Sequence, residues 1–165
     1  MELLIFRHGP AGDRDEWKKT GKPDGERPLT DEGKDKTAKA AAGLAALVEE
    51  LDYIASSPLT RAVQTADALA KRFKKAKRVV LKELEPSGDP EPAIKALASH
   101  ASEDRIAFVG HEPHLSELAT TLIGAEGARL ELKKGGACLL RVDTPQPGGA
   151  ELLWLLTPSQ LRALR

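Results

Sequence analysis

Two histidines and two arginines stand where apolar runs of the chain come to an end. Arg7-His8-Gly9 closes the run "LLIF" at 3–6, Arg61 lies just beyond "DYIASS" in "SSPLTRA", and His111 follows "RIAFVG" in "VGHEP". Cationic and imidazole side chains are costly to bury without a partner. Their recurrence at such places therefore asks for a ligand. Two guanidiniums present planar forks of donors that fit phosphate oxygens, and two imidazoles can donate to the same oxygens when protonated. A helix starting near Ser57 would add free N–H groups and the positive end of its dipole. Phosphate is the anion this set fits best. Anion binding alone needs no histidine beside a glycine. Phosphoryl transfer does, because a neutral imidazole held in line is a competent nucleophile. His8 is the candidate, and Gly9 lets the backbone turn sharply or come close to a ligand.

The elements that must position these groups follow from the pattern of apolar runs. Strands are expected at 3–6, 52–57, 78–84 and 105–110. Helices are expected from Thr30 as N-cap through "DEGKDKTAKAAAGLAALVEEL", from Ser57 as N-cap with Pro58 at the first helical position, through "PAIKALASHA", and through "EPHLSELATTLIG" ending at Gly124. Alternation of strand and helix implies a three-layer α/β/α fold with a mainly parallel central sheet. Beyond residue 124 the runs "ARLEL", "ACLLRVD" and "AELLWLL" read as close-spaced strands that add an antiparallel edge, followed by a short helix "SQLRAL". In an open α/β sheet, ligands bind beyond the carboxyl ends of the strands. Arg7, His8, Arg61 and His111 all fall at such ends and can share one pocket. The loop from Gly9 to Pro28 is longer than a simple connection needs, which points to a role in shaping that pocket.

Composition narrows the function. A chain of 165 residues with 41% hydrophobic and 30% charged residues suits one domain, 1–165. The formal net charge is zero, which speaks against a nucleic-acid surface. No apolar stretch approaches membrane-spanning length and no signal peptide pattern opens the chain, so a cytoplasmic protein without a membrane partner is expected. The lone Cys138, inside "ACLLRV", reads as core. His114, three residues after His111, also matches H-x-x-H metal spacing, but no third ligand stands at suitable spacing.

The phrases "LLIFRHG", "RPLTDEG", "SSPLTRAVQTA" and "FVGHEPHLSELA" resemble the motifs of the histidine phosphatase superfamily, the phosphoglycerate mutase-like group. With "LLWLLTPSQL" at the end, the chain most resembles phosphohistidine phosphatases of the SixA type. The resemblance implies a phosphoglycerate mutase-like fold and a phosphatase. In it His8 becomes a transient phosphohistidine, while Arg7, Arg61 and His111 hold the phosphoryl oxygens. It implies no metal and no cofactor. It places a general acid just after the third strand, where Glu83 is the positional match, and gives Arg27 in "ERPLT" a further substrate contact. The partner is then a phosphorylated protein, with phosphohistidine favoured, or a small phosphorylated substrate. A binding module that has lost catalysis is the remaining alternative.

Overall fold

The first strand, β1 (Glu2–Arg7), is apolar at consecutive positions because both of its faces are covered. Leu3 and Ile5 point into one core and Leu4 and Phe6 into the other, the period-2 alternation of a strand. The computed structural model describes residues 1–86, 88–125 and 130–164. Among these, β1 lies inside a six-stranded sheet with β2 (Tyr53–Ser56), β3 (Lys77–Val80), β4 (Arg105–Gly110), β5 (Ala137–Val142) and β6 (Ala150–Leu156), in the order β3-β2-β4-β1-β5-β6. The first four strands are mutually parallel, and β5 and β6 form an antiparallel edge.

Helices α2 (Asp31–Leu47), α3 (Thr60–Ala70) and α6 (Pro158–Ala163) contribute Leu44, Leu69 and Leu161 to the core beneath Leu4 and Phe6. Helices α4 (Glu91–Ala98) and α5 (His114–Ile123) contribute Leu97 and Leu118 to the core on the other face. The three-layer fold and its mainly parallel sheet are therefore as the sequence implies. Cys138 is wholly buried in the second of these cores, and burial pushes its thiol up to about 12, leaving it unreactive. No helix among the described residues is long and apolar enough to cross a membrane.

Several boundaries differ from expectation. The strand expected from "ARLEL" falls partly outside the described residues, and Leu130–Leu132 form no strand. Leu132 instead sends its side chain into the core and its carbonyl to the Arg7 guanidinium, at 2.7 Å. Ser57 does not cap α3. The helix starts three residues later at Thr60, and the Ser57 hydroxyl lies 2.8 Å from His111 Nε2 and accepts from the Leu59 N–H at 3.3 Å. The third strand stops at Val80, and Lys82–Leu84 turn in a 3-10 helix that buries Leu84. The long loop after Gly9 holds α1 (Arg14–Lys18) and a 3-10 turn at Asp24–Glu26, and a bridge between Ala11 and Leu29 closes it.

The seating of α6 on α2 depends on a close backbone approach. A Cβ on Gly43, in the middle of α2, would lie 1.8 Å from the Leu161 carbonyl oxygen. Helix propensity alone favours Gly43→Ala by about 1 kcal/mol. The expected outcome is the reverse, a lower urea midpoint, because α6 must move away. A raised midpoint would show that α6 does not sit there.

Candidate active site

Parallel pairing brings the ends of three strands together. The His8 N–H donates to the Gly110 carbonyl at 3.0 Å and the Ser57 N–H to the Val109 carbonyl at 2.9 Å, so the segments after β1, β2 and β4 are neighbours. Arg61, in the first turn of α3, enters from the β2 side. His8, Arg61 and His111 are only 6%, 3% and 2% exposed, and the two imidazole rings lie 5.0 Å apart between centroids. The residues expected to meet do meet.

Hydrogen bonding fixes the state of His8. Its Nδ1 is 2.7 Å from the Gly9 carbonyl oxygen, which can only accept. Nδ1 therefore carries the proton, and Nε2 keeps its lone pair. Burial, then the charges of Arg61, Arg7 and Lys134, push the His8 pKa down to about 3 against the opposing pull of Gly9. His111 is pushed to about 2 by burial, His8 and Arg61. Both rings are neutral at pH 7.

The groups around His8 have donors to spare. Arg7 spends Nη1 on the Leu132 carbonyl, and Arg61 spends Nη1 and Nη2 on the Asp24 backbone carbonyl and carboxylate at 3.0 and 3.2 Å. His111 Nε2 is 2.8 Å from Ser57 Oγ. Arg7 Nε, Arg61 Nε and His111 Nδ1 are buried without a hydrogen-bond partner. Each unsatisfied buried polar atom costs about 1–3 kcal/mol.

Other expected residues take different places. The Gly9 N–H is bonded to Thr65 Oγ1 at 3.1 Å, so it is not offered to a ligand. Its lack of a side chain serves packing, since a Cβ would lie 1.9 Å from Thr37 Oγ1 on α2. Arg27 is buried, with Nε on Asp24 Oδ1 at 2.9 Å and Nη1 on the Gly12 carbonyl at 2.7 Å, and braces the long loop. Glu83 is exposed on its 3-10 turn. Among the described residues no hydrogen bond or ion pair ties it to Arg7, His8, Arg61 or His111. His114 is buried at the start of α5, where burial opposes its charge and Glu117 and Asp89 favour it.

Two residues that sequence reasoning missed stand out. Asp24 is the shared counter-charge of the site. Burial raises its carboxyl, but the hydrogen bond from Arg27 and the charges of Arg61, Arg27 and Arg14 outweigh that and hold it below the usual range. Its signal was available in "DGER", an acid three residues before a buried arginine. Lys134 lies on the turn before β5, whose Gly135 N–H reaches the Arg7 and His8 carbonyls at 3.2 and 3.0 Å. Only the "KKGG" turn hinted at it.

The model of the histidine phosphatase superfamily (branch 1) matches residues 3–85. The chain belongs to the histidine phosphatase superfamily. Its fold is that of the phosphoglycerate mutase-like members. The solved structure of the protein histidine phosphatase SixA complexed with tungstate is similar at 25% identity and a TM-score of 0.83, covering 98% of this chain and 99% of that one. Phosphoserine phosphatase from Entamoeba histolytica, in complex with phosphoserine, shares the fold at 17% identity and a TM-score of 0.70, over 97% and 98% of the two chains. An uncharacterised protein of Picosynechococcus sp. is 38% identical over 144 residues, 86% of this chain and 85% of its own.

The two neutral histidines give stability a defined pH dependence. In the unfolded chain each takes a proton near pH 6.5, whereas in the fold they do so only near 3 and 2. Above pH 6.5 both states hold them neutral and nothing changes. Between about 6.5 and 3 the unfolded chain binds up to two more protons, so stability falls as pH drops, by at most about 2.7 kcal/mol per pH unit from this pair. Urea titrations from pH 7 to 4 are expected to show a shallower decline for His8→Asn/His111→Asn than for the wild type. Parallel declines would mean that the histidines are not held neutral.

Proposed function

We propose that the protein is a phosphatase that passes a phosphoryl group first to His8 Nε2 and then to water, with protein phosphohistidine as its substrate. The observation that carries this reading is that Arg7, Arg61 and His111, the neighbours of a neutral His8, each keep a buried side-chain nitrogen without a hydrogen-bond partner. These donors suit the three oxygens of a phosphoryl group and would stabilise the charge that gathers on them in the transition state.

The steps follow from the tautomer. The Nε2 lone pair of His8 forms the new N–P bond while the bond from phosphorus to the leaving group breaks and its electron pair departs with that group. Because Nδ1 keeps its proton on the Gly9 carbonyl, phosphorylated His8 is a cationic imidazolium. A cationic ring is a good leaving group. Water then attacks phosphorus, the P–Nε2 bond breaks, and His8 regains its lone pair as phosphate and a proton are released.

The leaving group decides between substrates. An alkoxide needs a proton from a general acid, whereas an imidazole departs more easily. The carboxylates here are poorly suited to that task. Asp24 is held ionised by arginines, Glu112 accepts from the Ser116 N–H and hydroxyl, and Glu83 is exposed. A nitrogen-linked phosphate matches such a site better than a phosphate ester does.

Phosphate release from a histidine-phosphorylated protein, compared with release from p-nitrophenyl phosphate, tests both levels. His8→Ala is expected to lose at least about a thousandfold on both substrates while still binding phosphate. Glu83→Gln is expected to stay within about twofold of wild type on the phosphohistidine substrate. A large loss for Glu83→Gln there would make Glu83 the acid. A wild type that binds phosphate but releases none from either substrate would leave a binding module.

A further inference from the structure

The charges around His8 are not evenly paired within the protein. Arg7 has Glu112 and Glu131 as acidic neighbours, and Arg14, Arg27 and Arg61 share Asp24. Lys134 has no such partner, and among the described residues it makes no ion pair. After burial, the strongest influences on its ammonium are Arg7, Arg27, Arg14 and Arg61, all cations, which hold it below the usual lysine range. Its turn is fastened to the end of β1 by the two hydrogen bonds from the Gly135 N–H, and the Lys134 charge is felt at His8.

Like charges gathered at this spacing weaken the free protein and repay the cost only when an anion arrives. The phosphoryl group is already provided for by the buried donors of Arg7, Arg61 and His111. Lys134 is exposed, as is Arg14, whose side chain is 68% accessible and lies 4.0 Å from Asp24. Both are open to solvent, whereas His8, Arg61 and His111 are buried. We propose that Lys134, assisted by Arg14, is a specificity-determining residue that binds a second anionic group of the substrate, a carboxylate close to the phosphoryl group. In a phosphohistidine protein this is an aspartate or glutamate side chain flanking the modified histidine. Lys134 suits that carboxylate because it has no acidic partner of its own, whereas Arg7 already feels Glu112 and Glu131. The inference deepens the phosphatase reading and rests on it for the position of the phosphoryl group.

The test needs no turnover. Phosphoglycolate and ethyl phosphate differ by a carboxylate in place of a methyl group, and both are titrated calorimetrically into the His8→Ala protein at low salt. Phosphoglycolate is expected to bind at least about tenfold more tightly. Adding Lys134→Met should lower its affinity about tenfold and that of ethyl phosphate less than about twofold. Lys134→Arg should restore most of the preference, and 0.5 M salt should erase it. Equal losses on both ligands, or no loss on either, would overturn the second-anion role. Failure of both ligands to bind the His8→Ala protein would overturn the phosphoryl site and the inference with it. Loss of phosphohistidine specificity alone would leave these binding results unchanged.

Discussion

Two guanidiniums and two imidazoles buried within a few ångströms of one another have lost their water and repel each other whenever they carry charge. The fold meets this constraint in two ways. It keeps both histidines neutral, His8 through burial and the Gly9 carbonyl on Nδ1, His111 through burial and its cationic neighbours. It also places a single carboxylate, Asp24, against Arg61 and Arg27. What is left without a partner is one buried nitrogen each on Arg7, Arg61 and His111. The proposed phosphoryl group would answer that unsatisfied polarity.

The sheet supplies the precision. Parallel strands at its centre, each sealed on both faces by helices, deliver His8, Ser57 and His111 to one edge through backbone hydrogen bonds that leave little play. Thr65 links the helix carrying Arg61 to the segment after β1, since its hydroxyl donates to the Arg61 carbonyl and accepts from the Gly9 N–H. The long loop after Gly9 brings Asp24 and Arg27 over the pocket, held by Arg27 on the Gly12 carbonyl and by Leu29 N–H on Gln64. Loop and sheet thus meet at the arginines.

The central strands and the convergence of Arg7, His8, Arg61 and His111 were legible because one physical cause produces each signal. A strand buried on both faces must be apolar at consecutive positions, so β1 and β4 declare themselves, and a cation at the end of such a run has few structural uses. Ser57 misled because Ser-Pro before a helix ordinarily caps it. Its hydroxyl is shared between the Leu59 N–H and His111, 54 residues away in sequence. Leu130–Leu132 misled because alternating apolar residues there serve a core contact and a carbonyl for Arg7, not a strand. Asp24 and Lys134 escaped notice because their importance lies in neighbours brought close only by the tertiary fold.

The account stands on His8 Nε2 being the atom that takes the phosphoryl group. The most direct measurement is rapid quenching of the wild-type protein with a phosphorylated substrate, followed by peptide mass spectrometry under alkaline conditions that preserve phosphohistidine. A transient phosphoryl group on His8, forming and decaying within the turnover time, is the predicted result. Turnover that proceeds with His8 unmodified throughout would contradict the account.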